Sequence, residues 1–341
     1  MSIKHWAKEC VPIRMLYYGV KAAEIQRRKW ALRPFLTAMK EHAAWTGRLP
    51  YPLRDRYHFQ NRQKGQKKLC MILAGYKPDL WDSVFQRISR FLPEDIDVCV
   101  MTSGVERPKL MRLCEERGWS YLATRRNKLT RIQNLAIYLH PEAEYIYKLD
   151  EDMFITAGFF EGLYETYQRA RRELSYEIAF AAPLIPVNGY GYVRILERCG
   201  LGEDWAQQFG SAVYTDGIHH HRAILEQAGA ARYMWGETQP LLRDIDRLAQ
   251  SLSQAAVPYT ICPIRFSIGA ILFSRAAWLD WGLFPVDWTV GMGLDEACIA
   301  HYCMFHGKAA IVSEITLAGH LAFGPQKDEM LKEFSEGRLN L

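Results

Sequence analysis

Residues 145–152 read YIYKLDED, an apolar run that ends in two aspartates separated by one residue. The run predicts a buried β-strand over 145–149. Side chains alternate between the two faces of a strand, so Asp150 and Asp152 are expected to point the same way. Two neighbouring carboxylates repel each other unless a cation lies between them, and Mg²⁺ and Mn²⁺ prefer oxygen ligands. The stretch therefore predicts a divalent metal site at Asp150 and Asp152, with a solvent-facing acidic turn as the alternative.

Upstream of this stretch, short apolar runs alternate with segments of helical periodicity. The predicted strands are 69–74, 96–101 and 119–123, and the predicted helices are 79–91, 109–117 and 130–139. Alternation at this spacing indicates βαβ units, and hence an α/β fold with a mostly parallel sheet covered by helices on both faces. Ligands of such sheets lie beyond the C-terminal ends of the strands, where Asp150 and Asp152 follow the fourth strand.

The pattern is looser after Asp152. A Gly-, Tyr-, Trp- and His-rich stretch over 188–239 predicts an insertion that faces the substrate rather than more sheet. The other predicted elements are helices over 158–172, 240–255, 275–281 and 297–305, and strands over 178–184, 266–273 and 312–317.

The composition restricts the class of protein. The chain has 341 residues, of which 49% are hydrophobic and 24% charged, which is typical of a globular protein. No run of about eighteen apolar residues exists, and the N-terminus lacks the apolar core of a signal peptide. The eight cysteines form no CxxC pair, which favours reduced, buried thiols and a cytoplasmic protein.

Charge divides the chain into a basic leader and an acidic body. Residues 1–68 carry 16 Lys and Arg against 4 Asp and Glu, a net charge of +12, whereas the whole chain has +5. We interpret 1–68 as a basic helical extension, with a polar linker over 54–68. An anionic lipid surface and a nucleic acid both fit such a leader, as does a solvated helical cap. The acidic body offers nucleic acid no groove, so we expect no nucleic-acid partner.

The stretch from Leu69 to Thr156 resembles the nucleotide-binding half of the GT-A glycosyltransferases, in which a DxD-type motif closes the fourth strand of a β/α sheet. Gly75-Tyr76-Lys77-Pro78 is similar to the loop that lines the nucleoside pocket, and the basic segment 125–134 to the turn that touches the base and diphosphate. The resemblance implies a nucleotide-sugar donor, expected to be UDP-linked, with Mn²⁺ or Mg²⁺ as cofactor. The implied nucleotide-binding residues are Gly75, Tyr76, Ser103, Asn127, Arg131, Asn134 and Asp150.

The second half resembles the acceptor-binding and catalytic half of inverting members of the same family. The resemblance rests on the Gly-containing strand at 267–275 and on GMGLDEA at 291–297. It implies that Asp295 is the general base that takes the proton of the acceptor hydroxyl, with Glu296 as the close alternative. Plain N-capping of a helix is the other interpretation of these two acids. Gly319-His320 after the last strand implies that His320 completes the metal shell beside Asp150 and Asp152.

The sequence therefore predicts a leader and linker at 1–68 and a glycosyltransferase domain at 69–341, divided into a nucleotide-sugar half (69–156) and an acceptor half (157–341). The expected reaction moves a sugar onto a hydroxyl of a glycan or lipid-linked saccharide in bacterial surface polysaccharide synthesis, at the inner face of the cytoplasmic membrane. A non-catalytic glycan-binding scaffold on a degenerate GT-A fold is the alternative. An aspartate-based phosphatase is disfavoured, because Phe154 stands where that motif requires a small residue.

Overall fold

The computed structural model describes residues 53–215, 224, 227–254, 257–285, 294–321 and 327–339. The helices predicted for the leader and the three histidines at 219–221 lie outside the described residues. None of the helices in the described part of the chain is long and apolar enough to cross a lipid bilayer.

A ten-stranded mixed sheet forms the centre of the described chain. Its strands are β1 (Tyr57–Gln60), β2 (Lys68–Ala74), β3 (Ile96–Ser103), β4 (Ser120–Thr124), β5 (Tyr145–Asp150), β6 (Met153–Ile155), β7 (Ile178–Leu184), β8 (Tyr259–Cys262), β9 (Ala270–Ser274) and β10 (Ala309–His320). The strand order is β1-β4-β3-β2-β5-β9-β7-β10-β6, with β8 paired to β10 off this path.

Six strands of the sheet run in one direction. The parallel pairs are β2–β3, β3–β4, β2–β5 and β7–β10. The antiparallel strand β9 lies between β5 and β7 and joins the two parallel groups. The predicted α/β fold with a large, mostly parallel sheet flanked by helices is confirmed.

Helices connect the strands and pack on both faces of the sheet. The α-helices are α1 (Trp81–Phe91), α2 (Pro108–Arg117), α3 (Leu129–Leu139), α4 (Phe159–Glu173), α5 (Gly191–Cys199), α6 (Gly202–Phe209), α7 (Ala228–Met234), α8 (Ile245–Leu252), α9 (Arg275–Asp280), α10 (Leu294–His306) and α11 (Lys327–Ser335). Right-handed crossovers place α1 and α2 on one face and α3, which packs on β2, β3 and β4, on the other.

The predicted elements of the first half form because their apolar residues have the right period. All eight residues of β3 are buried, as expected for a parallel strand with helices on both faces. Helix α1 buries Trp81, Val84, Phe85 and Ile88 at helical spacing.

The structure corrects the sequence prediction at the N-terminal boundary of the domain. The predicted linker over 54–68 is wrong at β1, because Tyr57–Gln60 pairs antiparallel with β4 and forms the edge of the sheet. Helix α10 also begins earlier than the predicted 297, at Leu294, so Asp295 and Glu296 lie in its first turn.

The chain order defines a switch point in the sheet. From β2 the chain passes to β3 on one side, and it returns after β4 to form β5 on the other side of β2. The crevice beyond the C-terminal ends of β2 and β5 is where open α/β sheets bind ligands. The loop 75–80 and Asp150 lie at this crevice.

Candidate active site

The buried Lys148 joins the acids of the two halves of the chain. It lies on β5, only 2% exposed, and its Nζ donates to Asp150 Oδ1 at 2.6 Å and to the carbonyl of Ile268 at 2.8 Å. Burial alone lowers the pKa of Lys148, but the carboxylates of Asp150, Asp295 and Glu296 raise it by more. Lys148 therefore remains a charged ammonium in the interior, between acids that are far apart in the sequence.

Asp150 is held at the end of β5 by this lysine and by the backbone. Its N–H donates to the carbonyl of Gly269 on the neighbouring chain segment at 2.8 Å. Burial raises the pKa of Asp150, Lys148 opposes this, and the nearby Asp152 and Asp295 add to the rise. The pKa of Asp150 is therefore above its ordinary value.

Asp152 and His320 meet because β6 and β10 pair antiparallel. His320 lies opposite Met153, the residue after Asp152. Its Nε2 is 3.0 Å from Asp152 Oδ2, and the Lys77 ammonium donates to the same oxygen. Burial alone raises the pKa of Asp152, but His320 and Lys77 lower it by more, so this carboxyl remains ionised.

Asp152 and His320 fit a divalent cation. Asp152 Oδ2 and His320 Nε2 lie 3.0 Å apart, and a carboxylate oxygen and an imidazole nitrogen are both ligands that Mn²⁺ accepts, so the two side chains would hold such an ion together. Asp150 Oδ1 is instead paired with Lys148. Within the ranges that the structure describes, no group of three or more His, Cys, Asp and Glu residues forms a metal site. The structure thus brings together two of the three predicted ligands.

Glu151, the middle residue of the motif, is a site residue that the sequence analysis missed. Its carboxylate accepts from the backbone N–H of Gly75 (2.8 Å) and of Tyr76 (3.0 Å) and from Trp81 Nε1 (2.5 Å). Glu151 lies in the turn between β5 and β6, and its side chain points toward the loop after β2. An acid placed between the two acids of the motif is the signal that could have identified it.

The loop after β2 places a half-exposed tyrosine ring over the crevice. Gly75 adopts φ +125°, and a Cβ there would lie 3.4 Å from Thr102 Cγ2, so the turn favours glycine. The Tyr76 hydroxyl donates to the carbonyl of Ser103 at 2.7 Å, while 51% of the residue stays exposed. The predicted residues Gly75, Tyr76 and Ser103 therefore lie together at the ends of β2 and β3.

The basic turn before α3 reaches the same rim of the crevice. The Ser103 hydroxyl oxygen accepts from the backbone N–H of Lys128 at 2.7 Å. Asn127 is exposed and packs so closely on Gly104 that a Cβ at Gly104 would lie 2.6 Å from Asn127 Cβ. Asn127 and Ser103 are thus neighbours, but Ser103 is fully buried, so only Asn127 of the two is open to a ligand at the rim.

Asn134 and Arg131 lie in the interior, against the prediction that they contact a nucleotide. Asn134 is fully buried, and its Oδ1 accepts from Trp278 Nε1 (3.0 Å) and from the N–H of Phe284 (2.9 Å). Its amide therefore braces α3 against the segment after α9, and the predicted nucleotide contact is wrong. Arg131 is 3% exposed and donates to the backbone carbonyl of Arg54.

Asp295 and Glu296 are each held by a partner from another element. Gln133 on α3 donates to Asp295 Oδ2 at 2.9 Å, and the N–H of Glu296 donates to Asp295 Oδ1 at 3.0 Å. Arg265 donates to Glu296 Oε1 at 2.5 Å. Gln133 was missed by the sequence analysis, although a polar side chain on the buried face of a helix is a recognisable signal. Both acids are buried and fixed, which plain N-capping does not require.

No protein-family model matches the sequence, and no curated protein matches it. Among solved structures, the chain is similar to the crystal structure of GalNAc-T7 with UDP, GalNAc and Mn²⁺, with a TM-score of 0.46 and 10% sequence identity. The match covers 86% of this chain and 53% of that chain, so the protein spans about half of the length of that structure.

Proposed function

We propose that the protein is a metal-dependent glycosyltransferase that moves a sugar from a nucleotide-sugar donor, UDP-linked, to a hydroxyl of a glycan or lipid-linked saccharide. One observation carries the proposal: Asp150 at the end of β5 pairs with Lys148 at the switch point of the sheet, and the acids of α10 act on the same ammonium, beside a loop with an exposed aromatic ring. A site of this kind offers a place for the nucleoside and the diphosphate of a donor, and for a carboxylate that acts as general base, in one crevice.

The donor half of the site would bind the nucleotide at the ends of β2 and β3. The exposed face of Tyr76 is available for stacking on a base, and Glu151 holds the backbone of that loop in place. Asp152 and His320 would hold the divalent cation. When bound, the cation stabilises the negative charge of the departing diphosphate.

The acceptor half would supply the general base of the transfer reaction. Gln133 and the N–H of Glu296 fix the two oxygens of Asp295, so that the carboxylate is oriented before the acceptor arrives. Asp295 takes the proton of the acceptor hydroxyl as that oxygen attacks the anomeric carbon. Attack from the face opposite the diphosphate inverts the configuration of the sugar. Glu296, engaged by Arg265, is the alternative base.

The setting that we propose is bacterial surface polysaccharide synthesis at the cytoplasmic face of the membrane. The support is the basic leader, since a polybasic segment binds anionic lipid and lipid-linked acceptors lie at that surface.

The test separates donor binding from transfer. A panel of UDP-sugars with Mn²⁺ is screened for binding by calorimetry and for UDP release in the presence of saccharide acceptors. We expect Asp295→Asn to lower the rate of transfer about 10²- to 10⁴-fold, because it removes a general base, with donor affinity retained. Asp95→Asn, at an exposed residue before β3, is the matched control and should transfer at the wild-type rate.

Three outcomes would count against the assignment. Full transfer by Asp295→Asn together with loss in Glu296→Gln would make Glu296 the base. Donor binding without any transfer in the wild-type protein would favour the non-catalytic, glycan-binding alternative. Failure of every nucleotide sugar to bind would reject the proposed function.

A further inference from the structure

Lys77 places a protein cation on the oxygen that a metal ion would need. The residue lies in the loop between β2 and α1, and its ammonium donates to Asp152 Oδ2. The Asp152 side chain is 3% exposed, whereas that of Lys77 is 26% exposed. His320 Nε2 lies 3.0 Å from the same oxygen. In this state the carboxylate is already compensated by the chain itself.

A divalent cation and the Lys77 ammonium cannot share Asp152 without strong repulsion. A cation held by Asp152 and His320 would lie within a few ångströms of Nζ, in a buried place where water screens charges weakly. One of the two cations has to leave. The charge-compensated carboxylate therefore opposes binding of a free metal ion.

The structure shows which part of Lys77 can move. The backbone of the loop is fixed, because Glu151 accepts from the N–H of Tyr76 and the N–H of Leu80 donates to the carbonyl of Lys77 at 3.1 Å. The side chain has four flexible methylenes and leads to the surface. The ammonium can therefore leave Asp152 while the loop stays in place.

Lys148 does not share this freedom. Its side chain is 3% exposed, and its Nζ donates to the carbonyl of Ile268 as well as to Asp150. A buried ammonium with two partners stays where it is. Of the two lysines that pair with the aspartates of the motif, Lys77 is the one whose ammonium can be replaced by a metal ion.

We propose that Lys77 is an exchange cation, which neutralises Asp152 in the free protein, leaves when a divalent cation binds, and then pairs with the diphosphate of the donor. This inference rests on the proposed function and names how its metal and nucleotide are coupled. Once the Lys77 ammonium has left Asp152, it forms an ion pair with the diphosphate of the donor, which is strongly anionic. The protein then binds the divalent cation tightly when the nucleotide is also bound, and weakly when it is not.

The test measures Mn²⁺ binding without any turnover. Free Mn²⁺ is followed by electron paramagnetic resonance in wild type, Lys77→Met and Lys109→Met, first without nucleotide. Lys109 donates to Asp82 in an exposed pair, so its variant is the matched control. We expect Lys77→Met to bind Mn²⁺ alone at least about fivefold more tightly, the lower end of usual coupling between sites. Lys109→Met should stay within about twofold of wild type.

The second measurement is the affinity for UDP at saturating Mn²⁺, by calorimetry. Lys77→Met should bind UDP at least about fivefold more weakly, because the diphosphate has lost its ammonium partner. Lys77→Arg keeps the charge and should follow the wild type in both measurements, which guards against a misfolded Met variant.

The outcomes distinguish this inference from the proposed function. If Mn²⁺ and UDP bind to wild type and Lys77→Met with equal affinities, the exchange is overturned while metal-dependent nucleotide binding stands. If Mn²⁺ binds to neither protein, with or without UDP, both the exchange and the metal-dependent function are rejected.

Discussion

At the scale of single residues, Glu151 shows how one carboxylate connects two parts of the site. It follows Asp150 directly, yet it is the acceptor for two backbone N–H groups and one indole of the loop after β2. The position of Tyr76, and with it the proposed base-stacking face, therefore depends on the residue between the two acids. A buried carboxylate with three donors is costly to replace, since any substitution leaves donors unpaired.

We expect Glu151→Gln to destabilise the fold by about 1–3 kcal/mol, because the amide NH₂ group would face N–H donors and leave them without an acceptor. The free energy of unfolding is measured by urea denaturation. Glu165→Gln, at an exposed position of α4, is the matched control and should change it by no more than about 0.5 kcal/mol. Equal stability of the two variants would show that the carboxylate does not hold the loop.

His140, at the C-terminal end of α3, is a buried residue whose protonation state affects stability. Its Nδ1 donates to the carbonyl of Ala136 at 2.7 Å, and its Nε2 is buried without a hydrogen-bond partner. Burial lowers the pKa of His140 below its ordinary 6.5, and the nearby Arg275 adds to this, while the Ala136 carbonyl and Asp97 oppose it. The folded protein therefore keeps this imidazole neutral at a pH where the unfolded chain binds a proton.

The consequence is a loss of stability in acid. The His140 contribution is fully present above pH 6.5 and falls below it, by up to about 1.4 kcal/mol per pH unit for one group. We expect His140→Gln, which cannot titrate, to show a shallower fall in the free energy of unfolding between pH 7 and pH 5. Urea denaturation across this range measures both curves. Parallel curves for variant and wild type would contradict the assignment.

At the scale of elements, the parts of the fold that the sequence predicted are those with a local apolar signal. β2, β3, β4 and β5 are apolar runs covered on both faces, and α1 has a clear apolar stripe, so period and burial agree. β1 reads YHFQ and has no such signal, because it is an edge strand defined by its pairing with β4. The short strands β6 and β8 form for the same reason, since tertiary pairing and not local pattern decides them.

The candidate site shows the same division between local pattern and tertiary contact. The proximity of His320 to Asp152 was expected from the family resemblance, and the register of β6 with β10 brings the two side by side. The partner of Asp152 at Lys77 and that of Asp295 at Gln133 were not expected, because no motif marks these pairs, whose members lie 75 and 162 residues apart in the sequence. Such partners are known only when the elements are packed together.

At the scale of the whole molecule, the distribution of charge separates the leader from the rest of the chain. Residues 1–52 contain 10 Lys and Arg against 3 Asp and Glu, a net charge of +7, so residues 53–341 carry −2 of the total of +5. A deletion that tests the leader must end before Leu53. β1 begins at Tyr57, and the carbonyl of Arg56 accepts from the N–H of Arg125, so a longer deletion would damage the sheet.

We expect the full chain to co-sediment with phosphatidylglycerol vesicles and only weakly with phosphatidylcholine vesicles, because basic residues near an anionic surface add about 1 kcal/mol each to binding. Deletion of residues 1–52 should abolish co-sedimentation and leave UDP release with a soluble acceptor unchanged. High salt should weaken the binding of the full chain, since it screens exposed charges.

Deletion of residues 1–60 removes β1 as well and serves as the control for a folding defect, which should lower the thermal midpoint. If the 1–52 deletion retains vesicle binding, the leader is not the membrane contact; if it loses binding and turnover together with a lowered midpoint, the leader supports the fold.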